Sequence, residues 1–200
     1  MADPPPDRST FPLLTLDFDG VICRPPFGLN VGIHRTFLDP GEPPRSARVY
    51  PRWLNTPLDH LRFDLRAPMP GIAETLRALR LVRRLAVVTG RRTAPTGWLR
   101  RHGLDQLVDE VVVNTTRLKS PHFKLDALSV LGAAEHVDDD PRTAQLLAQA
   151  SRAQVFLCDW PRNRDLPYDP RVQRIADLRD LAKRLLDAPA PPEAPGDTEA

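Results

Sequence analysis

Asp17 and Asp19 stand two residues apart at the end of a short apolar run, Leu13 to Leu16, and Gly20 breaks the chain directly after them. Two carboxylates a few ångströms apart repel one another unless a cation or a shared proton relieves them. A divalent metal site uses that pressure. The same spacing also suits a plain strand-to-helix turn in which aspartate caps the helix, so the rest of the chain must decide. Three more groups of suitable chemistry follow: Thr89 and Gly90 closing LAVVTG, the run Asp138, Asp139 and Asp140 in EHVDDDP, and the lysines Lys119 and Lys124 ahead of that run. Carboxylates, a hydroxyl and an ammonium together suit phosphoryl transfer. The acids balance a metal, while the lysine and hydroxyl hold the phosphate oxygens. Taken singly, each has a plainer reading as a turn, a helix cap or a solvated surface charge.

The elements that must position these groups alternate. Leu13, Leu14 and Leu16 form a continuous apolar run of the kind found in strands buried on both faces. Further strands are expected at Leu85 to Gly90, Glu110 to Asn114, AEHVDDDP and QVFLCD. Helices are expected from Ile72 (with Leu76, Leu79 and Val82 at helical spacing), before Gly103, before Gly132, over RTAQLLAQASR and over Ile175 to Asp187. Strands alternating with helices of this length predict an α/β fold, a three-layer Rossmann-like parallel sheet of about five strands flanked by helices. Parallel strands open the same end to the same crevice, so the polar groups at successive strand ends converge.

Residues 24–68 interrupt this rhythm with many prolines and no sustained period, apart from a possible short helix around Asn30 to Leu38. Loops this long in compact domains are commonly functional lids. The aromatic residues Phe27, Phe37, Tyr50, Trp53 and Phe63 favour a small cap insertion over a disordered linker. The expected organisation is a loose segment at 1–10, a core domain at 11–187 carrying that insertion, and a disordered Pro-rich tail at 188–200.

Here the residues resemble the haloacid dehalogenase (HAD-like) superfamily, in the form of a compact phosphatase. LTLDFDGVI resembles its first motif, VVTG its second, and HVDDDP its acidic fourth motif; the third is a lone lysine. Lys124 is preferred to Lys119 because KLDALSVLGAAEHVDDDP resembles the short lysine-to-acid spacing of compact members. The resemblance implies that Asp17 is the nucleophile of an aspartyl-phosphate intermediate and Asp19 the general acid and base. It implies that Mg2+ binds Asp17, the backbone carbonyl of Asp19 and Asp139, and that Thr89, Gly90 and Lys124 hold the phosphate. Asp138 is taken as metal support and Asp140 as a helix cap, with the choice between them left open. Members that dehalogenate or cleave phosphonates lack the second acid, so Asp19 favours phosphate esters. DWPRNRDLPYDPRVQRIADLRDL more weakly resembles deoxynucleotidase-like members, which makes a nucleotide the specific guess.

Bulk properties bound the alternatives. The 200 residues are 41% apolar and 27% charged, as in ordinary globular domains. A formal charge of +2 makes a nucleic-acid partner improbable, and no apolar window reaches membrane-spanning length. No leader is visible, and two cysteines cannot found a disulfide framework, so a reducing cytoplasm is expected. The expected substrate is a small soluble phosphate ester; oligomeric state is left open. Rival readings are a phosphatase of a phosphoprotein or nucleic-acid end, a mutase (disfavoured by so short a lid), and a non-catalytic binding module. The five histidines read as scattered, with only His136 placed to approach the site and a core role favoured even there. Trp53, Trp98 and Cys23 read as packing residues.

Overall fold

The computed structural model describes residues 8–25, 35–44, 46 and 66–188. Six strands form one sheet: β1 (Leu13–Leu16), β2 (Arg84–Thr89), β3 (Glu110–Val113), β4 (Glu135–Asp138), β5 (Gln154–Cys158) and β6 (Val172–Ile175). Their order is β3-β2-β1-β4-β5-β6, and every neighbouring pair is parallel. The helices are α1 (Ile72–Leu79), α2 (Thr96–Arg101), α3 (Ser120–Leu131), α4 (Pro141–Ala150) and α5 (Leu178–Asp187).

The apolar runs bury both faces, which makes three layers. Leu85, Val87, Phe156 and Cys158 point into one core with α1, α2 and α5, through Leu76, Leu79, Trp98 and Leu181. Their strand neighbours Val88, Val155 and Leu157 point into the other, with Phe123 and Leu128 of α3 and Leu147 of α4. Alternate residues of one strand thus serve opposite cores.

The α/β class and parallel sheet are as expected, with one strand more. β6 escapes notice because it is four residues long at a sheet edge, with Val172 and Ile175 buried while Gln173 is exposed and Arg174 half-buried. A short edge strand with one apolar residue at each end, each facing a different core, carries no continuous apolar run. The last helix accordingly begins at Leu178 rather than Ile175, capped by the Asp177 carboxylate, which accepts the backbone N–H groups of Arg179 and Asp180.

Arg8–Thr10, expected to be loose, forms a 3-10 turn. Residues 1–7, most of the 24–68 insertion and 189–200 lie outside the described residues, as does most of the helix expected over Asn30 to Leu38; its described end, Arg35–Leu38, is not helical. Among the described residues no helix is long and apolar enough to cross a membrane.

Candidate active site

The sheet register brings the acids together. Leu16 of β1 pairs with Val87 of β2 on one side and Val137 of β4 on the other. Asp17 and Asp138 are each one residue further on, so both emerge at the same level of the same rim. The Asp17 N–H donates to the Val137 carbonyl at 2.9 Å, locking this junction. Gly20 then turns the chain with a positive φ of 77°, a conformation that favours glycine over any residue with a Cβ.

Three carboxylates, Asp17, Asp138 and Asp139, each offer an oxygen within 4.8 Å of the others, and all three residues are buried. Lys124, from the second turn of α3, enters between two of them. Its Nζ lies 2.8 Å from Asp17 Oδ1 and 2.7 Å from Asp138 Oδ2. Of the two candidate lysines the structure brings Lys124 to the acids, whereas Lys119 is exposed at the start of the helix.

Asp138 is the better satisfied of Lys124's two partners. Its Oδ2 also faces His136 Nε2 at 2.9 Å, and its Oδ1 accepts the backbone N–H groups of Asp139 and Asp140, each at 2.9 Å. Burial would raise its pKa, but Lys124 and His136 outweigh burial and hold it well below the usual carboxylate range. Asp17 lacks such support. Burial pushes its carboxyl up to about 7, with Lys124 opposing and the charges of Asp138 and Asp19 adding to the rise. Lys124 itself, despite burial, is held well above its ordinary value by the two carboxylates.

Fully buried His136 has its pKa lowered, chiefly by burial. The neutral ring meets the Asp138 carboxylate with Nε2–H, which leaves Nδ1 to accept the Thr15 hydroxyl at 2.8 Å. The expectation of a core histidine therefore holds, and that core position touches the site.

Asp19 is placed differently. Arg66 Nη1 lies 2.7 Å from its Oδ1, and Arg91 spans it with Nη2 at 2.7 Å from Oδ1 and Nε at 2.8 Å from Oδ2. Thr89 ends β2 at the same rim, almost fully buried, and its hydroxyl accepts the Arg91 N–H at 3.3 Å. A Cβ on Gly90 would come 2.4 Å from Ser120 Oγ and 2.7 Å from Ser120 Cβ, so only glycine lets the β2 loop reach the start of α3. Asp140 turns toward its own helix, at the α4 N-cap with Oδ2 accepting the Thr143 hydroxyl at 2.9 Å.

Sequence reasoning passed over several supporting residues. Asn163, fully buried, donates from Nδ2 to the carbonyls of Asp139 (3.0 Å) and Cys158 (2.7 Å), tying the acidic turn to β5. Trp160 Nε1 donates to the Gly20 carbonyl at 3.2 Å. Nothing in a Pro-rich segment marks one asparagine or tryptophan for such a role. Arg91 carried a faint signal, since it follows the Thr-Gly pair.

The donor set around Asp17, Asp138 and Asp139 is all oxygen, buried, and carries three carboxylates against one ammonium. This composition fits a hard divalent cation such as Mg2+.

No protein-family model matches this chain, and no curated protein does. Solved structures share its fold. One is a HAD-superfamily hydrolase, subfamily IA, variant 1, from Geobacter sulfurreducens, 22% identical over 87% of this chain and 99% of that one, with a TM-score of 0.55. CbbY from Rhodobacter sphaeroides, in complex with phosphate, is 15% identical over 86% and 96%, with a TM-score of 0.57. A 2-haloacid dehalogenase from Pseudomonas syringae is 15% identical over 88% and 98%, with a TM-score of 0.54. The fold is therefore that of the HAD-superfamily hydrolases.

Proposed function

We propose that this protein is a phosphomonoester hydrolase that works with Mg2+ and passes through an aspartyl-phosphate intermediate. The observation that carries the reading is Lys124 bridging Asp17 and Asp138 inside a buried cluster of three acids. The proposed substrate is a small phosphorylated metabolite, with a nucleotide as the specific candidate.

Asp17 is the nucleophile. Its carboxylate oxygen bonds to phosphorus as the ester oxygen leaves, and Lys124, 2.8 Å away, orients the attacking group and neutralises oxygens of the phosphoryl group. Asp19 gives its proton to the departing alkoxide and takes one from the water that next attacks phosphorus, releasing inorganic phosphate and restoring Asp17. Thr89 and the glycine-lined turn at Gly90 complete the phosphate cradle. Asp17 and Asp139, with the Asp19 carbonyl, would hold the Mg2+, and Asp138 supports them through Lys124. When bound, the ion neutralises the acids and polarises the phosphoryl oxygens.

The fold also carries dehalogenation. A halide leaves without needing a proton, whereas an alkoxide needs one, so an acid two residues beyond the nucleophile favours phosphate esters. Cys23 and Cys158 are both free and buried, in keeping with the proposed reducing cytoplasm.

The test is hydrolysis of p-nitrophenyl phosphate and a broad panel of phosphometabolites, with Mg2+ and with chelator. Turnover that needs metal and falls on the order of 10⁴-fold or more in Asp17→Asn is expected. An inert protein across the panel, or an Asp17→Asn variant with its rate intact, would overturn the assignment.

A further inference from the structure

Successive side chains of a strand alternate between the faces of a sheet. Thr15 of β1 and Asp17 just beyond it therefore share one face, as do His136 and Asp138 of β4. Thr15 and His136 are direct partners in the β1–β4 register, and Lys124 reaches both aspartates from α3 on that side. The contacts form a closed ring. The Thr15 hydroxyl lies 2.8 Å from His136 Nδ1, and His136 Nε2 lies 2.9 Å from Asp138 Oδ2. Lys124 Nζ meets that same oxygen at 2.7 Å and Asp17 Oδ1 at 2.8 Å, which returns the ring to the end of β1. Thr15, His136 and Asp138 are fully buried.

A neutral imidazole has one N–H to give, and an ionised carboxylate can only accept. Nε2 must therefore carry the proton, which leaves a lone pair on Nδ1. The Thr15 hydroxyl also lies 3.0 Å from the Glu135 carbonyl, so its one proton has two acceptors in reach. Turned to Nδ1, it holds the ring in the tautomer that Asp138 needs. Asp138 Oδ1 is already taken by the backbone N–H groups of Asp139 and Asp140, so with His136 in place both oxygens of this carboxylate are fixed. An ammonium has three N–H groups. Asp138 and Asp17 engage two of those on Lys124, and the third can point to a phosphoryl oxygen.

We propose that His136 is a positioning residue of the hydrolase, acting through Asp138 on Lys124, and that Thr15 fixes the ring for that task. The inference rests on the phosphomonoesterase reading above. Without the Nε2–H, Asp138 Oδ2 is left to Lys124 alone. The ammonium then settles toward Asp138 and away from Asp17, so the nucleophile loses its orientation and the phosphoryl group its third N–H.

Steady-state hydrolysis of p-nitrophenyl phosphate with Mg2+ tests this. His136→Leu removes the donor. In His136→Asn the shorter amide stands where Nδ1 stands and cannot reach Oδ2. Both should lower kcat by about 10- to 100-fold, the usual cost of losing a residue that orients a site's charged groups from behind, with KM nearly unchanged. His136→Gln places an N–H close to the position of Nε2 and should keep most of the rate. A merely packing role would not favour glutamine over leucine. Thr15→Val should lower kcat by about tenfold, and Thr15→Ser, which keeps the hydroxyl, should restore it.

Should the His136 variants fail to fold, the Thr15 pair carries the comparison. A further measurement reads the ring directly. Two-bond 1H–15N correlation spectra of the native protein should show one imidazole with Nε2 protonated and Nδ1 bare, assigned to His136 by its shift in Thr15→Val. A His136 ring protonated at Nδ1, a native rate in His136→Leu, or a His136→Gln variant as slow as His136→Leu would overturn the positioning role while leaving the hydrolase standing. A native protein inert toward p-nitrophenyl phosphate and the wider panel would remove the hydrolase reading and the positioning role with it.

Discussion

Asp17 and Asp138 share one ammonium at nearly equal distance yet differ in the sense of their pKa shifts, because only Asp138 has His136 and two backbone N–H groups as well. That asymmetry leaves Asp17 as the less compensated carboxylate of the two, a fitting state for a group proposed to ligate a cation and attack phosphorus. Lys124→Met tests it. The variant leaves two buried acids without their cation, so turnover should vanish and stability should fall by about 3 to 5 kcal/mol, the cost of breaking a buried pair from one side. Denaturant melts that matched those of the native protein would show that Lys124 is not the keystone of the cluster. The principal acids and the lysine were legible in the sequence because their types are unusual at the ends of apolar strands, and only three lysines occur in the chain. Arg66, Arg91, Thr15 and Asn163 were not. Arginine is abundant here, and a threonine in a strand or an asparagine in a loop carries no mark of the side chain it meets across the fold.

Elements set the distances that residues then use. The turn after β2 and the start of α3 must approach within van der Waals contact for Lys124, one turn further along α3, to reach Asp17. Gly90 permits that approach. Gly90→Ala should destabilise the protein and impair turnover together, since the new Cβ lies 2.4 Å from Ser120 Oγ and 2.7 Å from its Cβ. Overpacking of this kind costs about 1 to 3 kcal/mol. Pairing it with Ser120→Gly removes both clashing atoms. The double variant should then recover much of the loss, and melting and kcat measured around that cycle would report a coupling of about 1 kcal/mol or more. Additive effects would show that the contact does not matter. Element identity was legible wherever an apolar run or a 3.6-residue period was long. It failed at β6, because a four-residue edge strand with Gln173 and Arg174 at its centre does not look apolar, and what followed was shifted by three residues.

Across the whole molecule the two rims of the sheet do different work. At the rim opposite the acids, Arg8 and Arg80 both reach Asp109, at 2.9 and 3.0 Å, and the Asp109 carboxylate accepts the Leu85 N–H at 2.7 Å. Burial raises the Asp109 pKa, but the hydrogen bonds from Arg8 and Leu85 outweigh it and leave the carboxyl below its usual value. A carboxyl lowered in the fold adds stability above its unfolded pKa and loses it as pH falls through the folded value. Asp109→Asn should therefore cost about 1 kcal/mol at neutral pH, or about 2 to 4 °C in Tm, with the gap to the native protein closing in acid. Its kcat should not move, and a changed kcat would mean that the rims are coupled. At the rim that carries the acids the sign is reversed. Asp17 is raised from 3.8 to about 7, so the metal-free fold holds a proton there that the unfolded chain has lost, and this group's contribution to stability declines as pH rises from about 4 to about 7. His136, lowered by burial, acts in the opposite sense, stabilising above its unfolded value and losing that stabilisation as pH falls. Because His136 is buried on the far side of Asp138 with or without a cation, its effect cancels in a comparison of melts with and without Mg2+. Asp17 does not cancel, since a cation must displace its proton before it can bind. The increase in Tm produced by a fixed Mg2+ concentration should be small near pH 5, grow through about pH 7 and level off above it; in Asp17→Asn the increase should be reduced and flat with pH. A magnesium-induced shift equally large at pH 5 and pH 8 would mean that the ion is held without Asp17, and the proposed nucleophile would lose its place beside the metal.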